Sequence, residues 1–346
     1  MSDLRLRLGQ NLGLLLAIGL FLLFWLVYNG LHPRGFSTAV LIQNANESFV
    51  IGAVAMAQTV PVLAGGLDLS VGSVMTLVNC LASLTVSGTP TQMLFGIVLC
   101  LATGAAAGWL NGAIVVYGRI QPIIATLASG AVYIGLALFM RPTPGGEIDD
   151  DLAWAMTNDI TEFCATFGLF DDGEAAWLQP IGWIPMPVVV MLALIFLVWI
   201  PFRNSVTGRG VYAIGSSEAA AYMSGVRIDR CKIAAFTLAG FFAGAGGLYL
   251  ALQTSSGNAD VPQAGGYTLN SIAAVVIGGT SLMGGSGGAI CSLIGAMVIR
   301  AISFNFRIFD IAPLLQPLFE GIVLLGAVSI GAARVFRVKN RLELLG

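Results

Sequence analysis

The segment that organises the rest of the chain is residues 203–232, RNSVTGRGVYAIGSSEAAAYMSGVRIDRCK, which is mainly polar and lies between two long apolar blocks. In membrane proteins, short loops rich in Lys and Arg stay on the cytoplasmic side. If the flanking blocks cross a membrane, this segment fixes the orientation of every span before and after it. It holds five of the chain's sixteen basic residues: Arg203, Arg209, Arg227, Arg230 and Lys232.

The composition of the flanking blocks is that of a membrane protein. Hydrophobic residues make up 57% of the chain and charged residues only 10%, against roughly 25% charged in an average soluble domain. Repeated apolar runs of about 20 residues are long enough to cross a ~30 Å hydrocarbon core as helices. The strands of a transmembrane β-barrel would instead show alternating apolar and polar residues in segments of about 10 residues. The sequence therefore predicts an all-α, polytopic transmembrane helical bundle.

About ten spans fit the apolar runs. With Arg5 and Arg7 in the cytoplasm, an even number of spans returns the basic carboxyl terminus there as well. We expect one transmembrane domain over residues 1–346, both termini cytoplasmic, 141–183 outside and 203–231 inside. The spans lie near residues 11–30, 38–62, 69–88, 93–118, 122–140, 184–202, 232–252, 267–283, 287–305 and 313–333.

The predicted outside connection, 141–183, is acidic. Within it, residues 147–174 hold nine of the chain's eighteen acidic residues and no basic one. Such a run is typical of a solvated loop, and outside the cell it would also orient a soluble partner. Nothing in the charge distribution indicates a nucleic-acid partner.

Two glycine-rich breaks interrupt the apolar pattern, AGGLDLSVGS at 64–73 and IGGTSLMGGSGG at 277–288. Non-helical backbone at membrane depth must face protein or a water-filled cavity, so such breaks are candidate pathway elements in transporters. Glycines that let helices pack closely are the alternative explanation. Both interpretations stay open at the level of sequence.

Polar side chains inside the predicted spans are candidates for a translocation pathway. A carboxylate near the bilayer centre costs about 2.5–3.5 kcal/mol, so Glu47 should lie near an interface, face a wet cavity or have a partner. The i, i+3, i+7 stripe of Asn44, Glu47 and Ile51 would suit a sugar. Asp68 is expected to cap the following helix. The candidates are Asn44, Glu47, Gln58, Asp68, Ser70, Asn79 and Asn111.

The sequence lacks the residues that several kinds of functional site require. His32 is the one histidine, which excludes clustered imidazole metal sites. The two lysines, Lys232 and Lys339, are followed by Ile233 and Asn340, so no GxxxxGK[ST] phosphate loop can be written. Uphill transport would therefore need an ion gradient, coupled through Glu47 or Asp68, or a separate ATPase docked on a cytoplasmic loop.

Three stretches, 64–75, 210–233 and 271–288, resemble the permease subunits of ribose-type monosaccharide ABC importers, which include xylose, galactose and inositol systems. The resemblance covers essentially the whole chain in order and spacing. It implies a fold similar to the second class of ABC importers in the bacterial inner membrane, and import of a monosaccharide or related polyol. It also implies a second permease copy, a periplasmic sugar-binding protein and cytoplasmic ATPase subunits that bind ATP and Mg, with no cofactor in this chain.

Within the cytoplasmic loop 203–232, residues 215–232 resemble the segment that couples such permeases to their ATPase. Ser216-Ser217-Glu218 is typical of a helix start and Gly225 of a helix stop, although an ordinary solvated loop is the alternative. Against the general importer pattern, Glu218 falls one place early and Ala219 holds the Glu position. The candidate coupling residues are Ser217, Glu218, Ala220, Ala221, Gly225 and Arg227.

Overall fold

The computed structural model describes residues 12–169 and 180–312, together with six positions beyond them: Leu315, Leu318, Phe319, Gly321, Ile322 and Leu325. In these parts of the chain the architecture is all helical, with two isolated β-bridges and no strand. The predicted all-α class is therefore confirmed. The predicted tenth span, 313–333, lies largely outside the described residues.

Nine long helical segments correspond to the first nine predicted spans. Seven of them, all except α3 and α13, are long and apolar enough to cross a membrane. The segments are α1 (Leu12–Leu31), α2 (Thr38–Leu63), α3 (Val71–Thr85), α4 (Pro90–Tyr117), α5 (Pro122–Met140), α8 (Met186–Ala193) continued by a π-helical turn (Leu194–Trp199) and α9 (Ile200–Asn204), α12 (Ile228–Thr254), α13 (Val261–Ile277) and α14 (Ala289–Ile308).

Between residues 12 and 312, the remaining described helices are short and lie in the two polar connections. They are α6 (Asp150–Thr157) and α7 (Ile160–Thr166) in the acidic connection, and α10 (Val206–Ser216) and α11 (Glu218–Met223) in the basic one.

The eighth span is displaced from the position predicted at 267–283. The helix begins at Val261 because the Asp260 carboxylate accepts a hydrogen bond from the Gln263 N–H at 3.3 Å and Pro262 lies in the first turn. It ends at Ile277 because glycines follow, and Gly279 has a φ of +84°. The helix therefore starts and ends six residues before the apolar run suggests.

The described part of the acidic connection is folded rather than a purely solvated loop. Asp149 accepts from the Leu152 N–H at 2.8 Å and caps α6, and Asp159 accepts from the Glu162 N–H at 3.0 Å and caps α7. Ile148 and Ala153 are buried against the end of α12. Part of the acidic run therefore serves as helix caps.

The bundle is organised around α2 and α12, which have the most thoroughly buried faces. From Phe49 onward every residue of α2 is buried. Helix α12 packs on α4 through small residues: a Cβ at Gly108 would lie within 3 Å of the backbone of Phe236 and Gly240. At this contact the glycines serve close helix packing, as the simpler interpretation of the glycine content expects.

The connections between helices gather at two opposite ends of the bundle. At one end, residues 141–149 meet the start of the 255–260 connection, where Gly145 and Gly257 exchange backbone hydrogen bonds of 3.0 and 2.8 Å. At the other end, the two glycine-rich breaks meet the end of α10. The described connections at 64–70, 212–216 and 278–288 thus lie at one end of the bundle, and those at 141–149 and 255–260 lie at the other.

Candidate transport and coupling site

Both glycine-rich breaks are non-helical, over residues 64–70 and 278–288, and they touch each other. The Gly285 N–H donates to the Leu63 carbonyl at 3.1 Å. Gly65 and Gly284 have φ values of +78° and +87°, a region that L side chains rarely adopt, so these turns require glycine. Leu63 and Gly285 are 222 positions apart in sequence, so this bond joins two distant breaks into one structure.

The end of α10 packs directly on both breaks. A Cβ placed on Gly215 would overlap the Leu63 carbonyl and the Gly285 amide, so the backbones are in contact. One turn earlier, the Tyr212 hydroxyl donates to the Gly287 carbonyl at 2.9 Å. We call this meeting of residues 63–70, 278–288 and 212–216 the junction. It brings together parts of all three stretches that carried the family resemblance.

Beyond the junction, α11 projects as a short capped helix. The Ser217 hydroxyl accepts from the Ala220 N–H at 3.3 Å, and Gly225, with φ +79°, ends the helix. Tyr222 and Met223 are 73% and 81% exposed, although bulky apolar side chains gain by burial. The sequence analysis did not select these two residues. Two bulky apolar side chains in an otherwise polar loop were the signal that could have identified them.

The other candidate coupling residues are Glu218, Ala220, Ala221 and Arg227. Ala221 is buried, and Ala220 lies at the amide that Ser217 caps. Glu218 forms an ion pair with Lys232 at 2.7 Å, but its side chain is 57% exposed, so this pair contributes little. Arg227 is exposed. The structure therefore favours a coupling role for helix α11 and its end at Gly225 over a role for the charge of Glu218.

Four of the pathway candidates form one buried network beside the first break. The Asp68 Oδ1 accepts from the Ser70 N–H at 2.8 Å and from the Ser70 hydroxyl at 2.6 Å. Asn111 donates to the Ser70 hydroxyl at 2.7 Å, and Tyr133 donates to Asn111 Oδ1 at 3.1 Å. The Gln58 amide, in the orientation that satisfies both groups, pairs with the Asp68 backbone at 2.7 and 3.2 Å.

This network braces the break at the start of α3. The prediction that Asp68 caps α3 is wrong, because no side chain caps this helix at its N-cap residue, Ser70, and the Asp68 carboxylate instead binds the amide and hydroxyl of Ser70 itself. Because these side chains bond to one another, the geometry favours a structural role over direct contact with a substrate.

Asn79 lies at the opposite end of the bundle. Its Oδ1 accepts from the Asn258 N–H at 2.8 Å, which fixes the connection between α12 and α13. It is therefore remote from the network around Asp68.

Glu47, a carboxylate within a predicted span, is paired with arginine side chains. Arg307 of α14 binds both carboxylate oxygens, one of them at 2.8 Å, and Arg300 lies 3.9 Å away while donating to the Glu47 carbonyl at 3.1 Å. Sequence reasoning missed both arginines. Their spacing of seven residues, two turns of one helix face, was the available signal. A carboxylate bound by two guanidinium groups is poorly suited to load and release a coupling ion.

Asn44, one turn before Glu47, is placed apart from the network around Asp68. Its side chain is 7% exposed, and among the described residues neither its Nδ2 nor its Oδ1 has a hydrogen-bond partner. An unpaired buried polar group costs about 1–3 kcal/mol. Asn44 lines a cleft of about 540 Å³ on the outside of α2.

Apolar membrane-capable helices interrupted by non-helical breaks are a feature of membrane transport proteins. A model of the family described as branched-chain amino acid transport system, permease component, matches residues 40–328. The chain belongs to this family. The resemblance stated from the three stretches is thereby confirmed.

Individual relatives agree with this assignment. The ribose import permease protein RbsC of Escherichia coli K12 is 32% identical over 305 residues, 88% of this chain and 89% of the relative. RbsC of Bacillus subtilis is 33% identical over 315 residues, 90% of each chain. The fructose import permease protein FrcC of Rhizobium meliloti is 29% identical over 309 residues, 89% and 81% of the two chains. No solved structure matches this chain.

Proposed function

We propose that the chain is the membrane-spanning permease subunit of an ABC importer, and that it translocates a monosaccharide or related polyol across the bacterial inner membrane. The similarity to ribose and fructose import permeases supports this substrate class. The junction is the main structural support for this mechanism. A coupling segment must move the spans, and at the junction the segment contacts the two breaks that connect them. The ion-coupled alternative loses support, since Glu47 is bound by two arginines and Asp68 braces a turn.

In this proposal a partner ATPase docks on residues 215–232 and itself binds ATP and Mg, so that this chain needs no cofactor. The exposed Tyr222 and Met223 on α11 would fill a groove in the ATPase. Closure of the ATPase pair moves α11, and the backbone contact at Gly215 passes the movement to both breaks. The breaks connect α2 to α3 and α13 to α14, so these four helices move together.

The proposed topology has ten spans, both termini and residues 203–232 in the cytoplasm, and 141–183 in the periplasm. The two-ended grouping of connections and the positive charge of 203–232 support it. A second copy of the permease completes the pathway. A periplasmic sugar-binding protein delivers the sugar on the side of the acidic connection, whose described acidic residues are partly used as caps and partly exposed.

The docking role of α11 is tested at Gly225. Its φ of +79° strains any L residue by roughly 1–2 kcal/mol, and no atom of the described residues lies within 4 Å of a Cβ placed there. Gly225→Ala therefore carries the strain alone, and Gly225→Trp adds bulk on the docking surface. In proteoliposomes with ATPase and binding protein, we expect the Trp variant to lose at least ten-fold more uptake per ATP hydrolysed than the Ala variant. Equal uptake per ATP in both variants would show that α11 is not the docking helix.

A further inference from the structure

The end of α6, in the acidic connection, is tied to two helices at the centre of the bundle. The Asn46 Nδ2 of α2 donates to the Thr157 carbonyl at 2.7 Å. The Tyr249 hydroxyl of α12 donates to the Met156 carbonyl at 3.2 Å and also to the Asn46 Oδ1. We call these four residues the latch. Their bonds join three elements that are distant in sequence, α2, α6 and α12.

The latch is held in place by packing. Tyr249 is only 2% exposed, and its ring centre lies 4.0 Å from that of Phe49, a buried residue of α2. A buried tyrosine needs a partner for its hydroxyl, and here both partners lie on other elements. Because the packed ring has little freedom, α6 cannot shift against α2 and α12 without breaking the latch or moving them.

The acidic connection has a second attachment, which does not involve α2 or α12. The Glu147 N–H donates to the Ser83 carbonyl at 3.2 Å, and the Asp149 N–H donates to the Val86 carbonyl at 3.0 Å, both at the end of α3. Polar side chains within membrane spans are costly and mark functional positions by default. Attachment alone therefore does not account for the two polar side chains that α2 and α12 contribute to the latch.

Both helices of the latch reach the coupling residues at their other ends. From Asn46, α2 continues for about 26 Å to Leu63, whose carbonyl forms part of the junction. Helix α12 begins at Ile228, shortly after α11 and its stop, and Lys232 in its second turn pairs with Glu218 of α11 at 2.7 Å. Two continuous helices thus connect the latch with the junction and with α11.

We propose that the latch passes the docking of the sugar-binding protein on the acidic connection to the ATPase at α11, with Asn46 and Tyr249 as positioning residues. This inference rests on the proposed function and adds the contact through which the two partners act on each other. A load on α6 shifts Asn46 and Tyr249, and tightly packed helices respond by moving as rigid elements. The latch thus sets how strongly the sugar-loaded binding protein stimulates ATP hydrolysis, while hydrolysis without the binding protein does not depend on it.

The experiment measures ATP hydrolysis by the assembled complex in proteoliposomes, first without the binding protein and then with increasing binding protein in saturating ribose or fructose, whichever the wild type imports. We expect Asn46→Ala and Tyr249→Phe each to reduce the maximal stimulation at least five-fold, the lower end of ordinary allosteric coupling. Tyr249→Phe keeps the ring that packs on Phe49 and loses only the hydroxyl. Hydrolysis without binding protein, and the binding-protein concentration at half-maximal stimulation, should stay within two-fold of the wild type, because the ATPase and the docking surface are unchanged.

Asn158→Ala is the matched control. The Asn158 Nδ2 donates to the Trp154 carbonyl at 3.0 Å, a bond that stays inside the acidic connection, so this variant should be stimulated as the wild type is. Wild-type maximal stimulation in Asn46→Ala and Tyr249→Phe would overturn the latch. An equal loss in Asn158→Ala, or a loss that appears only as a higher half-maximal concentration, would overturn it as well. No stimulation of the wild type by any sugar-loaded binding protein would instead overturn the proposed function, and the latch with it.

Discussion

Replacing Gly215 with alanine is expected to reduce ATP-driven uptake at least ten-fold while the assembled complex still hydrolyses ATP. The new methyl group would overlap the Leu63 carbonyl and the Gly285 amide, both of which are backbone groups that cannot rotate away. The end of α10 must then separate from both breaks. Uptake and phosphate release measured on the same proteoliposomes would show hydrolysis without transport.

Gly265→Ala is the matched control for this substitution, because within the described parts of the chain nothing lies within 4 Å of a Cβ at that position of α13. It should transport as the wild type does. Size-exclusion chromatography of both variants confirms that a folded complex is being compared. Wild-type uptake per ATP in a folded Gly215→Ala complex would contradict the transmission of movement through the junction.

Removing the carboxylate of Glu47 is expected to destabilise the permease by about 2–3 kcal/mol. Glu47→Ala leaves Arg300 and Arg307 facing each other without their counter-ion, and loss of one partner of a buried ion pair costs about 3–5 kcal/mol. The lower value is expected here because the Arg307 side chain is 51% exposed and keeps part of its hydration. Equilibrium unfolding of the purified protein in detergent would measure the change.

The comparison that isolates burial is Glu218→Ala. Glu218 also forms an ion pair, with Lys232 at 2.7 Å, but its side chain is 57% exposed against 14% for Glu47. Exposed pairs contribute roughly 0–1 kcal/mol, so this variant should unfold almost as the wild type does. Equal losses in the two variants would mean that Glu47 and its arginines do not stabilise the contact between α2 and α14.

The sequence predicted the class of fold and most helices because these depend on local properties. Apolar length defines a span, and the glycines at 64–73 and 277–288 correctly predicted two non-helical breaks. The sequence analysis missed helix-capping aspartates in two parts of the chain. Asp260 starts α13 earlier than its apolar run, and Asp149 and Asp159 start helices inside a charged run that resembled a solvated loop.

The sequence could not predict which distant residues meet. Leu63 and Gly285 are joined by a backbone hydrogen bond, which carries no side-chain signature. Gly215 is a glycine among forty-four, and its special position follows only from the backbones that surround it. Asn111 and Ser70 looked like separate pathway candidates because their hydrogen bond joins helix α4 to a break forty-one residues away.

Sugar uptake by reconstituted permease tests the central claim most directly. The purified chain, alone or with an ATP-binding subunit and a sugar-binding protein, would be placed in proteoliposomes with labelled ribose, fructose and other monosaccharides. We expect no ATP hydrolysis and no uptake from the chain alone, and ATP-dependent uptake of at least one sugar from the complete assembly. Uptake by the chain alone, driven by a proton or sodium gradient without ATP, would contradict this account.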